Sequence, residues 1–416
     1  MKRVRKKSDW GMPPWKIEFR AKRRSPPEEV DVAIVGGGLT GLATAAWLRH
    51  VDRGKSVALF EATRTGGGSS GRTGGIALPE TATGDLPGLG DVLGGYERIL
   101  RTLGVKGEFE RGGVYELEHR SGEEQMRRGR SKQRPYGGEE DSQIRWTDNT
   151  ERENGKDPTR KDGVWGTQNE VTLQIAREVT GGSVNPGKVL AGLARAAERA
   201  GAIIFEGTTV TGIADEKPLR LRVEIGKKRR EICAKRVLIA TNAMSLELSG
   251  MAYSGGAELR GPKFTLAVAT EPLSEKQLAA LGLESRRPFY TVDLPYLWGR
   301  VLRTNNVIFG SGLVHVKDSA EFSSISVHEG EAARLLDRLC ERVRRLHTVL
   351  RDVKFTHRWG GPMLIGKGWK PVFRRHVDTP DVLVLGAYSG HGVALSVYLG
   401  RWAAEVLLGQ RRLPEW

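Results

Sequence analysis

The sequence predicts an α/β protein in two interleaved domains, built on a mostly parallel sheet with helices on both faces. Three observations predict it. Residues 31–35, "DVAIV", form a continuous apolar strand that meets "GGGLTG", then the helix "LATAAWLRH" and a second strand, "SVALFE". This is a strand–helix–strand unit of about thirty residues. Residues 382–393, "VLVLGAYSGHGV", repeat the strand–glycine–helix junction close to the end of the 416-residue chain. The chain is also long for a single core. A domain whose last strand and helix are the chain's last must be discontinuous.

The elements between follow from local pattern. Residues 89–104 have helical spacing, and "GGVYELEH" reads as a strand. From residue 119 to about 163 the chain turns to mixed charge, as in "RRGRSKQRPYGGEEDSQ", which predicts a mobile surface insertion. In "NPGKVLAGLARAAERAG", Asn185 is the N-cap, Pro186 the first helical residue and Gly201 the stop, with Val189, Leu190, Leu193 and Ala197 on one face. "AIIFEGTTVTGI" and "RVLIATNA" read as strands, residues 263–313 as extended segments, and 331–350 as an amphipathic helix. A strand "DVLVLGAY" and a helix over 394–408 close the chain.

Net charge is +16, and half lies in residues 1–24, where ten basic side chains face only Asp9 and Glu18. Such an arm reads as a solvated tail, or as a contact for nucleic acid or an anionic surface through counterion release. Trp10 and Trp15, with Pro13 and Pro14 between them, suggest that part of it lies on the body. No apolar run approaches the roughly twenty residues that span a bilayer, and no apolar stretch follows the basic start as in a secretory signal. Two cysteines, Cys233 and Cys340, fit a reducing compartment, so cytoplasm is the expected location. Cys340 shares a helical face with Leu336 and Val343 and reads as core. The chain has no C-x-x-C or H-E-x-x-H motif and no G-x-S-x-G elbow on a strand-to-helix turn, and its histidines are scattered, so no metal is expected.

Gly36, Gly38 and Gly41 match the dinucleotide fingerprint of a Rossmann-like unit: a tight turn, a close backbone approach to a pyrophosphate, and helix packed on strand. Leu39 and Thr40 open the helix, whose N-terminus favours an anion. Glu61 ends the second strand, followed by Ala62, where a carboxylate accepts ribose hydroxyls; this suits NAD or FAD and argues against NADP. "GGGSSG" at 66–71 also fits the pattern, but no apolar strand precedes it. The loop "TRTGGGSSGRTGG" crosses the mouth of the fold and brings Ser69, Ser70, Gly71, Arg72, Thr73 and Gly74 within reach of a flavin or its ribityl chain; the alternative is an unstructured glycine loop.

"DVAIVGGGLTG", "FEATRTGGGSSGRTGG", "SVNPGKVLAGLARAAERAGA", "VLIATNA", "HRWGGPM" and "GAYSGHGVALS", in this order, resemble the FAD-dependent D-amino-acid-oxidase-like superfamily over residues 29–410. Within it the likeness is to the branch of gamma-glutamylputrescine oxidoreductase, beside the sarcosine and glycine oxidases. The resemblance implies a discontinuous FAD-binding domain (29–80, 170–250 and 352–410) with an inserted antiparallel-sheet α+β substrate domain (81–169 and 251–351), and it leaves out the basic arm over 1–28 and the charged insertion. It implies that the late turn, with Gly386, Gly390, His391, Gly392 and Val393, returns to the flavin ring and favours its reduced anion. Val210 would touch the adenine region, and Ala240 and Thr241 the nucleotide. Thr73 stands where the family usually has asparagine.

The implied reaction moves a hydride from the carbon beside nitrogen to flavin N5, and the imine then hydrolyses. FAD is expected to be noncovalent, since neither cysteine stands at the usual attachment point. Sarcosine-oxidase-like relatives hold the substrate carboxylate with an arginine in the loop and a lysine after the late "GHG"; here those places read Gly74 or Gly75 and Ala394. This favours an amine or polyamine derivative. The alternatives are an amino-acid oxidase using Arg300 as its clamp, and a nucleic-acid-associated flavoprotein. Substrate-side candidates are Tyr296, Trp298, Arg300, Trp359, Tyr388 and His391; for Tyr296, Trp298 and Trp359 ordinary packing is the competing reading, and for His391 a role in fixing the turn. "NNVIFGSG" lacks the strand lysine of some oxidases, so the electron acceptor is oxygen or another carrier.

Overall fold

The computed structural model describes residues 9–120, 172–245, 259–292 and 296–416. Most of the charged insertion, and residues 1–8 of the arm, lie outside the described residues. Among the described residues no helix is long and apolar enough to cross a membrane.

Two large sheets carry the fold. In the first, strand Glu29–Val35 lies between Lys228–Ile239 and Val57–Glu61, and all three are parallel. Ile203–Glu206 extends the sheet on one side and Val382–Gly386 on the other, both parallel, with Val372–Arg375 as an antiparallel edge. The central strands are buried on both faces, which is why they read as unbroken apolar runs. Helices Leu39–Val51, Val92–Thr102, Pro186–Ala200 and Gly392–Leu407 share one apolar cluster with Ile34, Leu59, Leu238 and Leu383. The expectation of helices on both faces is met on one face only. The alternate residues Ala33, Phe60, Val237 and Val384 pack with Val210, Leu221 and Ile232 of an antiparallel meander, Thr208–Ala214, Leu219–Ile225 and Lys228–Ile239.

The second sheet has seven strands in the order Phe355–Gly366, Leu259–Pro272, Asn306–His315, Trp298–Val301, Phe289–Thr291, Val114–Arg120 and Thr172–Val179. It is antiparallel apart from the pairing of Phe289–Thr291 with Val114–Arg120. Helix Gly330–Leu346 buries Leu336, Leu339, Cys340 and Val343, and burial pushes the Cys340 thiol up, consistent with an inert core position. Three segments depart from the domain boundaries read in the sequence. Thr172–Val179 and Phe355–Gly366 belong to this second sheet, and helix Val92–Thr102 packs with the helices of the first. The chain crosses between the layers more often than short-range pattern reveals.

Residues 9–21 are built into the body. Trp10 packs edge-on to Phe264 and Phe322, and its carbonyl accepts from Gly360 N–H at 2.9 Å. Trp15 lies edge-on to Trp359 at 5.7 Å. Arg195 donates to the Glu18 carbonyl at 2.7 Å, and Ala21 N–H to Glu206 at 3.2 Å. The basic arm is therefore a strap over at least these residues.

Candidate functional site

The first strand ends at Gly36, whose φ of 111° suits only glycine, and a Cβ there would lie 2.7 Å from the Ala240 carbonyl oxygen. Gly38 caps the following helix, and Gly41 crosses Gly36 so tightly that a Cβ would sit 2.0 Å from its carbonyl oxygen. The Gly37 N–H donates to Glu61 Oε2 at 2.8 Å, while Oε1 accepts from the Thr63 N–H and hydroxyl, both at 2.9 Å. A carboxylate has about four lone-pair sites, so three are engaged. Glu61 thus retains capacity for one ribose hydroxyl, not the two expected from its position, unless Thr63 gives way. Ala62 beside it is exposed.

Ser69, Ser70 and Gly71 form a single 3-10 turn. Ser70 Oγ accepts from the Leu39 N–H at 3.1 Å, so it sits at the positive end of the helix, and a Cβ on Gly38 would be 2.8 Å from it. Ser69 donates to the Pro362 carbonyl. The Gly71 and Arg72 carbonyls accept from the indoles of Trp15 and Trp359, each at 2.9 Å. The Arg72 guanidinium turns to the strap, donating to the Gly11 carbonyl at 2.7 Å and lying over the Trp10 ring. Its charge serves the strap. Thr73 is half-buried beside it.

The late turn leaves strand Val382–Gly386 with Ala387 and Ser389 both in the left-handed region, at φ 56° and 52°. Such residues cost of order 1–3 kcal/mol each and persist only where neighbours hold them. Here the holders are named. Ala387 N–H donates to Asn242 Oδ1 at 2.9 Å, Ser389 N–H to the Leu364 carbonyl at 3.2 Å, and Gly366 N–H to Ser389 Oγ at 3.1 Å. Gly390 has φ 90°, and His391 caps helix Gly392–Leu407. His391 Nδ1 lies 3.3 Å from the Ser389 carbonyl, and burial lowers its pKa against that contact. Gly392 and Val393 follow at the helix start.

The two turns meet. Thr40 Oγ1 and Tyr388 Oη are 2.7 Å apart and buried, and Asn242 Nδ2 reaches Ser69 Oγ at 3.4 Å while holding Ala387. Asn242 was not singled out in the sequence; its only signal was an asparagine just past a parallel strand, and it has φ 50°. Ala240 and Thr241 lie between it and the strand, and Val210 is buried in the core with Val35 and Phe60.

On the second sheet, Trp298, Gly310, Ala267 and Trp359 form one row across four strands. The Trp298 indole is wedged between Gly74 and Gly310, where a Cβ on either would lie 2.1 and 2.0 Å from the ring. Packing is thus its evident task. The Tyr296 carbonyl accepts from Arg342 at 3.1 Å and from Ser311. Arg300 is 7% exposed and donates through Nε to the Gly74 carbonyl at 2.6 Å. Burial pushes its guanidinium down to about 10, against the pull of Glu110 and Glu108. Among the described residues no group of three or more His, Cys, Asp or Glu is arranged to hold a metal.

A cradle that any Cβ would fill, at a helix N-terminus with an acid on the next strand, fits a dinucleotide. Known proteins agree. The chain is 27% identical over 397 residues to gamma-glutamylputrescine oxidoreductase of Escherichia coli, covering 91% of this chain and 84% of the relative. It is 28% identical over 410 residues to the probable oxidoreductase OrdL of Rhizobium meliloti, covering 92% and 84%. In fold it is similar to glycine oxidase from Geobacillus kaustophilus, with TM-score 0.65, 18% identity and coverage of 93% and 96%. It is likewise similar to L-amino acid deaminase from Proteus myxofaciens, with TM-score 0.67, 16% identity and coverage of 97% and 95%. With its family model matched over residues 31–406, the chain belongs to the FAD dependent oxidoreductase family, DAO.

Proposed function

We propose that the chain holds FAD noncovalently between its two glycine turns and oxidises the C–N bond of an amine. A polyamine derivative, or an amine with its carboxylate far from the reacting nitrogen, is the favoured substrate. The observation that carries this reading is that both expected carboxylate-clamp positions are closed. A Cβ on Gly74 would lie 2.1 Å from Trp298, one on Gly75 would lie 2.4 Å from the Val184 carbonyl oxygen, and Ala394 is 0% exposed. None of the three presents a cation of its own; the cation beside this loop is Arg300, whose Nε donates to the Gly74 carbonyl and whose Nη2 would lie 3.0 Å from a Cβ on Gly75. The name of the Escherichia coli relative describes an amine of this kind.

Gly38, Thr40 and Gly41 would hold the diphosphate with backbone N–H groups, while the Gly36 and Leu39 N–H groups, bonded to the Phe60 carbonyl and to Ser70 Oγ, shape the turn; Glu61 would hold a ribose hydroxyl, Val210 the adenine side, and Gly390, His391 and Gly392 the ring edge. When bound, FAD supplies the two-electron acceptor for a hydride from the carbon beside nitrogen. The chain's residues bind and orient. The N-terminus of helix Gly392–Leu407 is a fixed positive dipole for charge at that edge. Neutral His391, its Nδ1–H turned to the Ser389 carbonyl, leaves Nε2 to accept a proton from the substrate nitrogen. That nitrogen must be neutral for its lone pair to assist hydride loss.

The test is an anaerobic screen following flavin absorbance. Putrescine or an acylated diamine is expected to bleach the flavin at least about tenfold faster than sarcosine or glycine; the reverse order would favour the amino-acid oxidase. Acid precipitation is expected to release the flavin into the supernatant.

A nucleic-acid role would rest on the arm. Removing residues 1–8 takes away Lys2, Arg3, Arg5, Lys6 and Lys7 without touching the packed strap. Amine turnover is expected to be unchanged and RNA affinity to show no added salt dependence from these residues. A steep slope in the full chain that vanishes on truncation would assign the arm to nucleic acid.

A further inference from the structure

Behind the flavin loop lies a cavity of about 650 Å³. The strap at 14–18, the start of helix Pro186–Ala200, the turn at Glu108 and Glu110, and the strand end from Arg300 to Thr304 line it, and it is open to solvent on one side. None of residues 387–393 lines it, and Arg300 reaches past it to the Gly74 carbonyl. It is thus a different space from the junction of the two glycine turns.

Its charge is unbalanced. Lys16, Lys188, Arg195, Arg286, Arg300 and Arg303 line it against Glu18, Glu108 and Glu110, six cations to three anions. The pairing sharpens the excess. Glu108 is taken by Lys188 and Arg303, Glu110 by Arg303, and Arg286 pairs with Glu275 outside the cavity. Among the described residues Arg195 bonds only the Glu18 backbone carbonyl, and Lys16 makes no ion pair.

Arg300 is the telling group. It is 7% exposed, and the one hydrogen bond of its guanidinium among the described residues is from Nε to the Gly74 carbonyl. Glu108 and Glu110 influence it only at a distance, since neither forms an ion pair with it. A buried cation without a carboxylate partner is costly to keep desolvated. Its planar fork matches a carboxylate or phosphate presented from the cavity.

We propose that this cavity binds a small multivalent anion, a di- or tricarboxylate or a phosphate compound, held by Arg300 with Lys16 and Arg195. The bond from Arg300 to Gly74 then makes occupancy felt in the flavin loop. The strap supplies Lys16, so the site exists only while the N-terminal segment is docked.

Calorimetric titration of the holoenzyme with citrate and with pyrophosphate, against chloride at matched ionic strength, tests this. Saturable binding of at least one multivalent anion and none of chloride is expected, with a small shift in the flavin spectrum; the tighter of the two names the ligand's source. Arg300→Met is expected to weaken binding at least tenfold. Lys16→Ala, at a more accessible position, is expected to weaken it severalfold with the fold intact. No saturable binding of either anion, or unchanged affinity in Lys16→Ala and Arg300→Met, would overturn the proposal. Competition between citrate and an amine or amino-acid substrate would overturn it too, because the cavity would then be the substrate's own.

Discussion

Replacing Gly41 by valine is expected to give colourless protein. A Cβ at this position would stand 2.0 Å from the Gly36 carbonyl oxygen and 3.2 Å from Ile34 Cγ2, both parts of the first strand and its turn. Backbone cannot step aside as a side chain does, so the helix must lift by more than an ångström. Overpacking a tight contact costs about 1–3 kcal/mol and sometimes more. The functional loss is larger than the stability loss. Lifting the helix moves its N-terminus away from the site of the diphosphate and separates Thr40 from Tyr388, now 2.7 Å away. The ratio of flavin to protein absorbance measures the result. Gly68→Ala in the same loop is the control, since nothing lies within 4 Å of its Cβ and its φ is −87°; it should stay yellow. A Gly41→Val protein with a normal flavin complement would refute the assignment of this turn.

Trp15→Ala is expected to be the most destabilising change outside the two turns. The side chain is 7% exposed, packs at 83° to Trp359 and donates to the Gly71 carbonyl at 2.9 Å. Truncating a buried tryptophan costs about 3–5 kcal/mol. At roughly 2–4 °C per kcal/mol, the melting temperature should fall by about 10 °C. Flavin should also be released more readily, because Trp15 and Trp359 hold consecutive carbonyls of the loop that carries Ser69 and Ser70. Trp15→Phe keeps most of the area and should recover much of the stability without the Gly71 bond. A melting temperature unmoved by Trp15→Ala would mean that the strap is not part of the fold's foundation.

What was legible in the sequence was what short-range physics decides. "DVAIV" and "VLVLG" announced central strands because a parallel sheet is covered on both sides and tolerates no polar alternation. Asn185, Pro186 and Gly201 bounded their helix because capping is local; Asn185 accepts from the Lys188 N–H at 3.2 Å, and Gly201 has φ 97°. Other features depend on partners far along the chain. Arg300 was noticed, yet its bond to Gly74 spans 226 residues, so no window could reveal it. Arg72 was read as a cofactor contact, and no local pattern showed that its guanidinium bonds the Gly11 carbonyl and lies over Trp10, some sixty residues away. Phe355–Gly366 sits next to the returning strand in sequence but pairs with Leu259–Pro272, a partner that proximity along the chain conceals. Trp10 and Trp15 signalled that the strap lies on the body, but "DWGMPPWKIEF" has neither a helical nor a strand period, so its partners could not be read.

The strap also sets an order of events during synthesis. Its residues are translated well before their partners: Gly11 pairs with Trp359 and Asp9 with Ser326, each more than 300 residues further along the chain. Tyr388, the partner of Thr40, emerges 348 residues after it. The strap must therefore wait, undocked, until those distant segments have been made. A stalled fragment lacking strand Val382–Gly386 and the turn after it has no complete nest to offer a coenzyme.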